Sequence, residues 1–249
     1  MVIYVCDDYG KMSEVAANQF AAHLILKPNS VVGLATGSTP EGMYSELIKK
    51  YKKGEISFEN AVSFNLDEYV DLPKENENSY YTFMHEKLFN HIDIKAENIN
   101  IPDGNAKDFE KYVEEYEAKI ESAGGIDLQI LGIGQNAHIG FNEPDKVFLK
   151  KTSVVDLTQS TIDANSRFFD SIDEVPKKAI SMGTGSIFKA KNILLLASGK
   201  SKAEAINNMI NGEIDPQVPA SILQLHSNVV VVIDKEAAEL LDESTYIRI

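Results

Sequence analysis

The sequence predicts an α/β fold built on a doubly wound, mostly parallel sheet with helices on both faces. Three observations carry this expectation. Apolar runs of about four to seven residues alternate along the chain with amphipathic stretches of about ten to fifteen. Several of the runs are continuous Val, Ile and Leu rather than alternating, as strands covered on both faces are. Strand-then-helix order repeats with no Gly-, Ser- or Pro-rich linker and no internal repeat, which implies right-handed crossovers within one domain spanning residues 1–249. A chain of 249 residues buries about 70–75% of its unfolded surface and needs no metal or disulfide staple.

In chain order, residues 2–6 form the first apolar run, and Cys6 within it reads as a small core residue. An amphipathic helix follows over 11–26, then a strand over 31–35. The next helix is expected at 40–53, with Thr39 as N-cap and Pro40 in the first helical position. A strand at 61–66 is followed by helical patterns at 79–91 and 108–122 and a strand at 128–133. Residues 142–178 are the least regular stretch, with Pro144 and Pro176 near its ends; they read as a lid or binding loop, or as a surface excursion with short helices of its own. Strands at 179–182, 193–197 and 229–233 and helices at 201–211 and 236–241 complete the pattern.

Charge and composition exclude several roles. With 38 acidic and 24 basic side chains the net charge is −14, which repels nucleic acid and anionic membranes. No apolar stretch approaches the roughly 20 residues needed to span a bilayer. Asp7 and Asp8 break the apolar start, so no secretory signal is read and a cytoplasmic location is expected. The single cysteine cannot form an internal disulfide. An anionic substrate would need a few local donors acting against the overall field.

In a doubly wound sheet, ligands bind beyond the carboxyl ends of strands, and four clusters follow the apolar runs. Thr36-Gly37-Ser38-Thr39 places backbone N–H groups and hydroxyls at a helix start, either an anion site or an ordinary capped turn. Neither a Walker loop nor a dinucleotide fingerprint fits its glycine spacing. Asp67-Glu68 puts two carboxylates where a strand emerges, as a carbon base or as helix caps. Residues 132–144 (GIGQNAHIGFNEP) combine a close backbone approach at Gly132 with His138, which Asn136 and Glu143 are placed to orient. Arg167 and Lys202 are cations suited to a phosphate, or else solvated charges. No Cys/His set has metal-ligand spacing, and no nucleophile elbow is present.

Together these segments resemble the glucosamine-6-phosphate deaminase family over residues 31–233. The resemblance rests on LATGSTP (34–40), FNLDEYVDLPKENENSYYTFM (64–84), NINIPDGNA (98–106), GIGQNAHIGFNEP (132–144), NSRFFDSIDEVPKKAIS (165–181) and SILQLH (221–226) in family order. It implies a Rossmann-like fold and a cofactor-free conversion of glucosamine 6-phosphate to fructose 6-phosphate and ammonia. By resemblance, Asp67 is the base moving a proton between C2 and C1, and His138 opens the sugar ring with Glu143 and Asn136 tuning it. Thr36, Gly37, Ser38, Thr39, Arg167 and Lys202 match the phosphate site, and Gly132 lies where the family's backbone meets the sugar.

Three departures from the family pattern stand out. Asn136 replaces an aspartate common among relatives, Ala137 replaces a common glycine, and Asp145 follows Pro144 where glycine is frequent. Where effector-responsive relatives carry basic residues, this chain has Ser153, Val154 and Val155, which implies a non-allosteric monomer or small oligomer. The competing expectations are a related sugar-phosphate hydrolase, such as a phosphogluconolactonase-like enzyme, and a non-catalytic sugar-phosphate effector domain.

Overall fold

Burial on both faces shapes the central strands of the computed structural model, which describes residues 1–249 apart from the side chain of Ala164. The first half of the chain forms β1 (Val2–Cys6), α1 (Tyr9–Leu26), β2 (Val31–Leu34), α2 (Ser38–Lys52), β3 (Val62–Asn65), β4 (Asp67–Tyr69), α3 (Tyr80–Lys87), β5 (Ile99–Asn100) and α4 (Phe109–Ser122). The second half adds β6 (Leu128–Leu131), β7 (Ser153–Asp156), α5 (Gln159–Asn165), β8 (Lys178–Ser181) and α6 (Thr184–Phe188). It closes with β9 (Ile193–Ala197), α7 (Ala203–Asn211), β10 (Val229–Asp234) and β11 (Ile247–Arg248).

Eight strands make one sheet in the order β11-β1-β10-β9-β6-β2-β3-β5, every pair parallel. All residues of β2, β6 and β9 are buried, which is why these runs are apolar without alternation, Gln129 of β6 excepted. The chain leaves β2 toward β3 and β5 on one side, and leaves β6 toward β9 and β10 on the other. Since β2 and β6 are neighbours, a topological switch point opens between the loops after Leu34 and Leu131. The fold is α/β and Rossmann-like, as the sequence led one to expect.

At the opposite end of these strands, Asp127 is buried and staples the start of β6 to its surroundings. It accepts hydrogen bonds from Lys27 (2.6 Å), Lys191 (2.7 Å) and the Val31 N–H (2.9 Å). Burial pushes its carboxyl up, but the lysines and the N–H outweigh it and hold it at about 2.

Several boundaries differ from the sequence expectation. The run at 61–66 leaves the main sheet at Leu66, whose N–H bonds to Leu34 O (3.0 Å) while its carbonyl accepts from Met182 (2.8 Å). It continues as β4 in a second, antiparallel sheet ordered β4-β8-β7. The strand expected at 179–182 is therefore β8 of this small sheet, because its partners Asp67–Tyr69 run the other way. Residues 142–178 carry β7, α5 and short 3-10 turns, resting on a second apolar cluster of Tyr69, Leu72, Phe141, Leu157 and Ala179. The helix expected at 79–91 stops at Lys87, where Leu88 (φ −144°) leaves the helical region. The helix expected at 236–241 is a run of turns, capped where the Ala237 N–H donates to Asp234 (2.8 Å).

Candidate active site

The switch point is the floor of a cleft of about 970 Å³. Thr36, Gly37, Ser38, Thr39, Asp67, Gly132, Asn136, His138, Arg167 and Lys202 all line it. Glu143 does not; it lies behind His138.

One end of the cleft suits an anion. Helix α2 starts at Ser38, one residue before the expected N-cap Thr39, because Gly37 at φ 97° turns the chain into the helix. Gly37 supplies no side-chain cap, so the first-turn N–H groups keep their bonding capacity at the positive end of a 15-residue helix. Arg167 follows α5, and Lys202 lies in the turn before α7. Burial, and then the nearby Arg167 charge, push the Lys202 ammonium below its ordinary value. Neither cation has a carboxylate within 4.0 Å among the described residues. Two cations held close without a counter-charge form a binding place for a dianion. The turn bearing Lys202 is fixed by buried Asp234, which accepts from Ser198 Oγ (2.5 Å) and from the Gly199 N–H (3.0 Å).

The loop after β6 builds an oriented imidazole. The His138 carbonyl accepts from the Gly134 N–H (2.9 Å), and the Gly134 carbonyl from the Ala137 N–H (3.0 Å). A side-chain carbon on Gly134 would sit 2.5 Å from the His138 ring, so the glycine is what admits the imidazole. His138 Nδ1 donates to Glu143 Oε2 (3.3 Å), which also accepts from Asn136 Nδ2 (2.6 Å). Thr161 Oγ1 donates to the other oxygen of Glu143. Burial pushes the Glu143 carboxyl up, but these donors and the His138 charge outweigh it and hold it at about 2. An ionised carboxylate only accepts, which places a ring proton on Nδ1 of His138. Ala137, one of the three departures, sits at φ 65° in the left-handed region that favours glycine. Asp145, another, has no such strain; its N–H bonds to Pro216 O (3.2 Å).

The adjacent carboxylates part company. Glu68 turns away to cap α3, accepting from the N–H groups of Tyr69 (2.8 Å), Tyr80 (3.0 Å) and Tyr81 (2.8 Å). Asp67 faces the cleft, 6% exposed, and its carboxylate has no hydrogen-bond partner among the described residues. Burial, then the Glu68 charge, push its carboxyl up to about 8. A desolvated carboxyl that titrates near neutral pH and is held by no protein donor can exchange a proton with a substrate carbon, as a general base must.

Thr161 was not singled out from the sequence, since an isolated threonine in an irregular segment carries no pattern. Asn165 was also missed; its Nδ2 donates to Tyr69 Oη (3.0 Å) and ties α5 to β4 at the cleft wall.

Comparison with known proteins gives a consistent picture. A family model described as glucosamine-6-phosphate isomerases/6-phosphogluconolactonase matches residues 10–232. The glucosamine-6-phosphate deaminase of Clostridioides difficile (strain 630) is 58% identical over 246 residues, covering 99% of each chain. That of Thermoanaerobacter sp. (strain X514) is 56% identical over 243 residues, 98% of this chain and 96% of its own. A solved monomeric glucosamine-6-phosphate deaminase superposes with a TM-score of 0.94 at 48% identity, over 96% of this chain and 100% of that one. The 6-phosphogluconolactonase from Trypanosoma cruzi shares the fold, with a TM-score of 0.77 at 21% identity and 96% of each chain covered.

Proposed function

The chain belongs to the family of glucosamine-6-phosphate isomerases and 6-phosphogluconolactonases, and we infer that it is a glucosamine-6-phosphate deaminase. The observation that carries this choice within the family is the pairing of two differently tuned groups in one cleft. A desolvated, unpartnered Asp67 sits with an imidazole held by an ionised Glu143. Lactone hydrolysis moves no proton between carbons, so it has no use for a carbon base. Aldose–ketose isomerisation does.

The phosphate would be held by the start of α2, with Thr36, Gly37, Ser38 and Thr39, and by Arg167 and Lys202. Gly132 would let the backbone lie against the sugar. His138 would open the ring by carrying a proton between the anomeric hydroxyl and the ring oxygen, oriented by Glu143 and Asn136. Asp67 would take the C2 proton of the open-chain amino sugar, giving an enolamine, and return it to C1. The resulting C2 imine takes up water and expels ammonia, leaving fructose 6-phosphate. Proton transfers of this kind are worth roughly 10²–10⁴-fold each.

The same reading makes the enzyme a hydrolase in cellular amino-sugar breakdown, cytoplasmic, and a monomer or small oligomer with residues 142–178 as a lid. No helix among the described residues is long and apolar enough to cross a membrane. It also makes the enzyme non-allosteric, supported by the lack of basic side chains at Ser153, Val154 and Val155 on β7. The test is stoichiometric release of ammonia and fructose 6-phosphate from glucosamine 6-phosphate, with and without chelator and N-acetylglucosamine 6-phosphate. Equal products with a hyperbolic substrate curve in every arm support the reading. A folded chain that yields no ammonia, or that hydrolyses 6-phosphogluconolactone instead, overturns it.

A further inference from the structure

We propose that Thr161 is a positioning residue for proton transfer: its hydroxyl ties Glu143, and through it the His138 imidazole, to helix α5. The inference rests on the deaminase reading and deepens it. Glu143 Oε2 is shared by His138 and Asn136, both from its own loop, whereas Oε1 is held by Thr161 Oγ1. Among the described residues, Thr161 is the single hydrogen-bond partner of the Glu143 side chain from outside residues 132–144. It is itself 6% exposed, so water competes poorly for either group. The hydroxyl is aimed by its own helix cap. Thr158, the N-cap of α5, donates from Oγ1 to Thr161 Oγ1 (3.2 Å), directing the Thr161 proton toward the carboxylate.

With both oxygens occupied, Glu143 is held in one orientation and so is the imidazole that donates to it. With α5 displaced, Oε1 loses its partner and the carboxylate is free to turn. Helix α5 leads directly to Arg167 in the following 3-10 turn, so a phosphate that engages Arg167 also seats Thr161. Binding energy from the far end of the substrate is thereby spent on aligning the group that opens the ring. Among the described residues, the only titratable side chain hydrogen-bonded to Glu143 is His138; Asn136 and Thr161 are neutral.

Three variants test this in steady-state deamination of glucosamine 6-phosphate. Thr161→Val is expected to lower kcat about 10-fold or more with KM nearly unchanged, the loss of one hydrogen bond to a charged group. Thr161→Ser, which keeps the hydroxyl, regains kcat. Ile162→Ala loosens α5 on its apolar cluster and so displaces Thr161 and Arg167 together, lowering kcat and raising KM. The proposal is overturned if Thr161→Val keeps the parental kcat, or if Thr161→Ser is impaired as severely as Thr161→Val. A parent without turnover overturns the deaminase reading itself, and is recognised before any variant is made.

Discussion

Replacing Asp67 with asparagine should cost activity and raise stability, and the second effect has a pH signature worked from the structure. The carboxyl has an ordinary value of 3.8 and is pushed up to about 8 in the folded cleft, by burial and then by Glu68. Between these values the folded protein holds a proton that the unfolded chain has released. Stability therefore falls as pH rises from about 4 to 8 and levels off above 8. At 1.36 kcal/mol per pH unit, burying the charged form costs on the order of 5 kcal/mol at pH 9. The amide removes the charge and keeps the shape. Guanidinium unfolding of parent and Asp67→Asn at pH 5, 7 and 9 should show the variant gaining over the parent at each step, by several kcal/mol across the range. The same variant should lose about 10²-fold or more in kcat. Stability curves that stay parallel from pH 5 to 9 would refute the claim that Asp67 is held desolvated. Retained turnover would remove it as the base.

Other perturbations probe the rest of the site and its scaffold. Arg167→Ala and Lys202→Ala should each raise KM roughly 10–100-fold, the value of a charge-assisted bond to phosphate, and weaken competitive inhibition by inorganic phosphate alike. A change confined to kcat would assign these cations elsewhere. Ala137→Gly should leave stability unchanged or raise it by up to about 1 kcal/mol, because relief at φ 65° offsets the usual entropic loss; a drop of 1 kcal/mol or more in chemical unfolding would contradict the strain. Asp127→Asn should cost about 1.5–3 kcal/mol near neutrality. Because the Asp127 carboxyl is held at about 2, below its ordinary 3.8, this contribution is complete above pH 4 and fades toward pH 2. Equal unfolding midpoints for parent and variant at pH 7 would show that the lysines contribute nothing.

The fold was largely legible because burial on both faces leaves a local mark. Strands such as Ile193–Ala197 are uninterrupted apolar runs, and the alternation with amphipathic helices sets the parallel topology. Legibility failed where a neighbour in space decides the outcome. The apolar run at 61–66 reads as one strand, yet the chain changes sheets at Leu66 because Leu34 and Met182 take its backbone groups. Residues 236–241 have a helical pattern but are too few to hold a helix without packing, and Asp234 closes them into turns. The site followed the same division. Backbone demands, such as glycine at 37 and 134, are visible in sequence because few residues meet them. Pairings across the chain, such as Thr161 with Glu143, are not.

The sequence alone determined the α/β layering, the helix start just after Gly37, and the presence of a histidine with nearby polar partners after a buried strand. These depend on local composition and spacing, which act through backbone geometry and burial. Tertiary structure decided which of two adjacent carboxylates meets the cleft, since Glu68 is consumed by the N–H groups of α3 and Asp67 is left dry and unpaired. It also brought Arg167 beside Lys202 and set Thr161 on Glu143. Charge and hydrogen-bond strength depend on distance and on the exclusion of water, and neither exists until distant segments pack.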